Sequence, residues 1–144
     1  MRFTSIELRN WKNFTNSEVP LSSRVFIIGP NASGKSNFLE AFKFLRDLAL
    51  SGGGLAEACR TRGGVKRIRS VFARRNPEIM IKAEIMMKNN DQWSYELAFN
   101  KSSKSDTPYV VREVVRNLSA ESRGDLLGPL LDRPTQAERD DPEQ

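Results

Sequence analysis

The chain has 144 residues, 38% hydrophobic and 28% charged, with a formal net charge of +5. That length buries one ordinary core, so a single soluble globular domain is the expectation. One cysteine, Cys59, and no histidine exclude an internal disulfide, a multi-cysteine zinc site and histidine-based triad or acid–base chemistry.

No apolar run approaches the roughly 20 residues of a membrane span. The opening "MRFTSIELRNWKNF" lacks the apolar core of a signal peptide, so a reducing, cytoplasmic compartment and no membrane partner are expected. Lys and Arg are in excess in residues 1–76, whereas 77–144 are net acidic. The asymmetry suggests a basic surface on the first half, with nucleic acid among its candidate partners.

Thr4, Ile6 and Leu8 alternate with polar neighbours, which predicts a half-buried strand. "RNWKN" reads as a turn into a second strand near Phe14–Val19. "RVFIIG", Arg24–Gly29, is a continuous apolar run of the kind that forms a central strand buried on both faces. After it, Phe38, Ala41, Phe42, Leu45 and Ala49 recur at helical spacing. They predict a helix from about Ser36 to Leu50, stopped by "SGGG" at Ser51–Gly54. Residues 55–75 predict a short helix, a break at Gly63-Gly64 and a second short element. Alternation through Ile79–Met87 and Trp93–Phe99, around the turn Asn89–Asp91, predicts a β-hairpin. A third strand is expected at Tyr109–Leu118. Residues 119–144 end in a polar, acidic stretch that reads as a linker or disordered tail.

Gly29, Gly34, Lys35 and Ser36 satisfy G-x-x-x-x-G-K-[ST], the phosphate-binding loop pattern. A polyphosphate must be surrounded by backbone N–H donors, and glycine lets the chain curl closely enough. The following helix turns its unpaired N-terminal amides toward the same phosphates. Lys35 is expected to reach the β- and γ-phosphates and the Ser36 hydroxyl to ligate Mg²⁺. Gly29, Pro30, Asn31, Ala32, Ser33, Gly34, Lys35, Ser36 and Asn37 are therefore the candidate nucleotide-binding residues, with Lys35 the one given a catalytic role.

"FTSIELRNWKNF" followed by "VFIIGPNASGKSNFLEAF" resembles the N-terminal lobe of ATP-binding-cassette-type heads of SMC, RecF and OLD-like AAA ATPases. Asn31 and Asn37 stand at that family's asparagine positions, and Ala32 replaces the glycine usual in SMC proteins. The resemblance is strong over about residues 2–50 and extends in outline over 55–118. It implies an α/β, P-loop NTPase lobe with an antiparallel β-subdomain at about 78–118, ATP rather than GTP, and Mg²⁺. It also implies that the turn Asn10–Asn13 lies near the base or phosphates. Lys12 is the candidate there; a solvated turn lysine is the alternative.

Hydrolysis needs a further carboxylate, on a strand ending in apolar-apolar-Asp-Glu, to position Mg²⁺ and water. The nearest string is "LLGPLLD", ending at Asp132. Pro129 disfavours a central strand, and Arg133 occupies the glutamate's place. No signature motif for clasping a partner's ATP is present, and Gln136, a candidate for a Mg²⁺-contacting Q-loop glutamine, lies in the polar tail. The expectation is an incomplete domain, inactive alone. It would be completed by a C-terminal half of the head and by a second protomer around two ATPs. A short natural protein that binds nucleotide without turnover is the alternative.

Arg60, Arg62, Lys66, Arg67, Arg69, Arg74 and Arg75 form a basic run without an acid, interleaved by Ile68, Val71 and Phe72. Three readings stand: a face solvated or paired with acids of the missing half, phosphate contacts to DNA, or a membrane-surface contact. Trp11 and Trp93 are expected in the core or hairpin rather than as base-stacking platforms. Two function classes follow. One is an ATP-hydrolysing, DNA-acting machine serving repair, chromosome handling or phage defence. The other is a nucleotide-sensing module that controls an effector such as a nuclease or toxin without binding DNA.

Overall fold

The computed structural model describes residues 1–73, 77–126 and 128–134. Strand β1 (Arg2–Trp11) and strand β2 (Phe14–Pro20) form a hairpin closed at Lys12 and Asn13. Strands β3 (Ile79–Met86), β4 (Gln92–Lys101) and β5 (Pro108–Asn117) form the expected antiparallel meander. The hairpin and the meander are not separate: β1 pairs with β3, and the six-stranded sheet runs β2-β1-β3-β4-β5-β6. Register explains the join. Ile6 lies opposite Ala83 and Leu8 opposite Ile81, so both strands turn their apolar sets to one face, and a slip of one residue would expose them.

That face is covered by helix α1 (Lys35–Ala49) and by two short helices, α2 (Leu55–Arg60) and α3 (Val65–Ile68). Ile6, Leu8, Trp11, Ile79, Ile81, Leu97 and Phe99 of the sheet meet Phe38, Ala41, Phe44, Cys59, Val65 and Ile68 of the helices. Phe44 stacks on Phe99 at 5.4 Å and meets Trp11 edge-on at 5.2 Å. Each large side chain buried in this way contributes about 1.5–3 kcal/mol. Phe44 sits at the centre of the buried stripe of α1, with Phe42, Leu45 and Leu48 half-buried beside it and Ala49 exposed. The stripe is thus rotated from the expected one. Trp11 is core, and Trp93 is a half-buried hairpin residue opposite Ile85.

Two expectations need correction. Arg24–Gly29 is not a strand: Phe26 is 85% and Ile28 91% exposed, and none of the described strands pairs with the segment. A β-branched apolar run becomes a strand only when a neighbouring backbone completes its ladder, and here β2, at the sheet edge, pairs with β1 alone. Beyond residue 118, regular structure continues where a linker or disordered tail was expected. Helix α4 (Leu118–Arg123) is capped by Asn117, whose Oδ1 accepts from Ala120 N at 2.9 Å. Strand β6 (Leu131–Arg133) pairs with β5. The remainder of that tail, including Gln136, lies outside the described residues, as do Arg74 and Arg75.

Candidate functional site

The loop from Gly29 to Ser36 joins the exposed segment to α1. Gly34 stands at the N-cap with φ 97°, and Ala32 also takes a positive φ of 63°. A Cβ on Gly34 would collide with the Asn13 carboxamide, and one on Gly29 would lie 2.8 Å from Ser33 Oγ. Gly34 is therefore required by its backbone angle and by close approach, whereas at Gly29 the Ser33 hydroxyl would have to turn aside. The first helical bond runs from Phe38 N to Gly34 O at 2.9 Å. No side chain caps α1, and its first turn carries no acid. An uncapped N-terminus with its partial positive charge suits an anion. It opens onto a cavity of about 470 Å³ lined by loop residues, by residues 25–28, and by Phe14, Val19 and Phe38.

Lys35 Nζ folds back over the loop and donates to Gly29 O at 2.7 Å and Pro30 O at 2.6 Å. Those carbonyls hold the ammonium against the curl of the loop. Ser36 is exposed on the first turn of α1. Asn37 ties the helix to the β1–β2 turn twice over. Its Nδ2 donates to Asn13 Oδ1 at 2.9 Å, and its carbonyl accepts from Trp11 Nε1 at 2.8 Å. Trp11 is fully buried, so the start of α1 is anchored to the core.

Lys12 is not among the residues lining this cavity. Its backbone N–H donates to Ile68 O at 2.7 Å. Burial lowers its side-chain pKa, Glu40 opposes that effect, and Arg62 and Arg67 add to it. The turn residue that meets the start of α1 is Asn13, which the sequence reading passed over in favour of the charged neighbour. Its signal was the pairing of a turn asparagine with the asparagine that follows the Lys-Ser of the loop.

The basic run divides. Arg62 belongs to the fold: its side chain is 7% exposed and lies 2.9 Å from Glu40 and 2.8 Å from Asp47. It also donates to Ala58 O at 2.8 Å and stands over the Phe44 ring at 5.1 Å. Its expected place among DNA contacts is corrected, because a guanidinium buried between two carboxylates and a ring has no face left for phosphate. Arg60 pairs with Glu57 at 2.6 Å on the surface of α2. Arg69 donates to Asn100 Oδ1. Lys66 and Arg67 are exposed, and no acid pairs with either among the described residues.

Asp132 lies on β6, at the sheet edge opposite β2, whereas the loop cavity is lined from β2 by Phe14 and Val19. The fold therefore separates Asp132 from the loop. Among the described residues no cluster of carboxylates or cysteine is placed to hold a metal on its own, and no helix is long and apolar enough to cross a membrane.

A family model described as "AAA domain, putative AbiEii toxin, Type IV TA system" matches residues 24–142. A curated relative, "Endonuclease GajA" of Bacillus cereus (strain VD045), is 40% identical over 47 residues, which cover 33% of this chain and 8% of that protein. The match thus spans under a tenth of the relative's length. A solved structure from work on "Structural biochemistry of ATP-driven dimerization and DNA stimulated activation of SMC ATPases" superposes with a TM-score of 0.57 at 15% identity. It covers 81% of this chain and 70% of that one. At that identity the likeness concerns the fold alone: an α/β lobe carrying an antiparallel sheet.

Proposed function

The chain belongs to the AAA-domain family described as putative AbiEii toxin of type IV toxin–antitoxin systems, and from that premise we propose that it is the ATP- and Mg²⁺-binding lobe of an ATP-binding-cassette-type ATPase head. The observation that carries the reading is the uncapped start of α1, fed by a loop whose Gly34 admits no side chain without strain and whose lysine already lies across it. The loop amides and the α1 N-terminus receive the phosphates. Lys35 would exchange the Gly29 and Pro30 carbonyls for the β- and γ-phosphates, and the Ser36 hydroxyl would help hold Mg²⁺, which would neutralise phosphate charge. Asn13 and Asn37 keep the loop in register with the sheet.

Catalysis belongs to the full protein. The exposed Val25–Ile28 segment supports a second lobe that supplies the neighbouring strands and the water-orienting carboxylate, from further sequence or from a partner. A second protomer closes over the nucleotide, and the whole acts on DNA. The name of the endonuclease relative favours a second reading, in which the nucleotide state of this lobe controls a nuclease or toxin effector. DNA-stimulated ATP turnover by the full protein supports the first reading. ATP-dependent co-purification with an effector, without DNA affinity, supports the second.

The test of the metal role is calorimetry with ATP, with and without Mg²⁺. Ser36→Ala should weaken Mg²⁺-dependent binding and spare metal-free binding; equal losses would remove Ser36 from the metal. In a phosphate-release assay the 144-residue chain should show no turnover. Rates near the ~1–100 s⁻¹ of phosphoryl-transfer enzymes would show that a catalytic carboxylate lies within it.

A further inference from the structure

A second polar cavity, of about 780 Å³, lies between the end of α3 and the β4–β5 turn, lined by Arg69, Asn100, Lys101, Ser102, Ser103 and Tyr109 among others. It shares no lining residue with the cavity over the glycine loop. Its cations are weakly compensated. Arg69 donates one Nη to the neutral Asn100 carboxamide, and its Nε is buried without a hydrogen-bond partner among the described residues. No carboxylate pairs with Arg69 among them. Asn100 Oδ1 also accepts from Lys101 N at 2.8 Å, so it is shared between two donors. Lys101 Nζ stands 3.4 Å from Asp106, with long contacts to Ser102 O at 3.4 Å and Ser105 O at 3.5 Å. Ser103 is exposed at the rim.

A buried N–H of a charged group without an acceptor is costly, and a phosphate oxygen is the acceptor that guanidinium, ammonium and hydroxyl donors suit together. We propose that this cavity binds a phosphate group, that of a single-stranded nucleic-acid backbone in preference to a free phosphate. The strand source is favoured by the surroundings. Tyr109, 49% exposed, lines the cavity beside Arg69 and Lys101. In sequence Arg69 is preceded by Lys66 and Arg67, exposed cations that no acid pairs with among the described residues, and followed by Phe72, 69% exposed. Cations beside exposed rings are the pattern of single-strand binding, where bases stack while charges track the backbone. The inference deepens the DNA-acting part of the reading above and is independent of the glycine loop.

The experiment is fluorescence anisotropy of the 144-residue chain with a labelled (dT)₁₂, its neutral methylphosphonate analogue, and inorganic phosphate as competitor. Ser103→Asp places a repelling charge at the exposed rim, and Lys101→Gln removes one cation; thermal melts check that both fold. Each variant should bind the oligonucleotide about tenfold more weakly, the loss of one charge-assisted contact. Lys101→Gln should also flatten the log–log salt slope by about 0.7. The methylphosphonate strand should not bind, and ATP affinity at the loop should be unchanged in both variants. Unaltered oligonucleotide affinity in both folded variants overturns the site. Wild-type binding of phosphate but not of the strand overturns the nucleic-acid source. Failure of the wild-type chain to bind ATP would count against the loop reading, not this one.

Discussion

Replacing Arg62 with alanine should destabilise the fold rather than weaken nucleic-acid binding. The guanidinium donates to Ala58 O, a charged hydrogen bond worth about 1.5–3 kcal/mol, and stands over Phe44, worth about 0.5–2 kcal/mol. The carboxylates it leaves are not stranded. Glu40 keeps Lys43 at 3.8 Å and Asp47 keeps Arg46 at 2.8 Å, and both are partly solvated, so their residual penalty is small. The loss is then about 2–5 kcal/mol, a fall in Tm on the order of 10 °C for a domain of this size. Acid stability should change with it. Arg62 first, then Arg46, holds the Asp47 carboxyl below its ordinary value of 3.8. A depressed carboxylate contributes stability above its unfolded pKa and loses it as pH falls through the folded one. The wild-type chain should therefore lose stability more steeply below about pH 4 than the variant. Urea denaturation followed by circular dichroism, at pH 7 and pH 3, measures both. An unchanged midpoint, together with a flatter salt slope for oligonucleotide binding, would return Arg62 to the phosphate-contacting set and refute the packing argument.

Gly34→Ala should abolish nucleotide binding in a folded chain, because the left-handed φ costs about 1–2 kcal/mol and the new methyl meets the Asn13 carboxamide; calorimetry beside a thermal melt separates the two effects. Asn13→Ala frees Asn37 Nδ2 and should lower ATP affinity by about tenfold or less, since the lost hydrogen bond contributes about 0.5–1.5 kcal/mol; no change would remove the turn from the site. Burial raises the Cys59 thiol from 9.0 to about 11, so alkylation in the native state at pH 8 should be slow and should track unfolding. As a raised acid, Cys59 contributes stability below its unfolded pKa that is lost as pH rises through about 11, and Cys59→Ala should reduce that alkaline loss.

Elements with a strong local period were legible in the sequence: α1 from its apolar spacing, and β3 and β4 from alternation around Asn89–Asp91; β5 was legible as a further strand after the polar loop. The glycine loop was legible because its residues are fixed by backbone geometry. Arg24–Gly29 misled because composition records an appetite for burial and not the presence of a neighbouring strand. Arg62 misled for the complementary reason. Charge spacing along the chain cannot show that Glu40 and Asp47, one helix earlier, converge on one guanidinium. Asn13 was hidden by Lys12, since a turn exposes alternate side chains to different neighbours and only the fold shows which one meets α1. Leu118–Arg123 and Leu131–Arg133 are too short for periodicity and are ordered by the Asn117 cap and by pairing with β5.

Titration of the chain with ATP and Mg²⁺, wild type against Lys35→Ala, tests the central claim most directly. Lys35 is the loop's own cation, and its ammonium rests on the Gly29 and Pro30 carbonyls until phosphate replaces them. The variant should fold with a melting temperature within a few degrees of wild type, since the half-buried Lys35 side chain bonds, among the described residues, only to its own loop at Gly29 O and Pro30 O. It should lose most of its ATP affinity, about a hundredfold for the charged contacts removed. Equal affinity in the two proteins would contradict the assignment of the glycine loop as the nucleotide site.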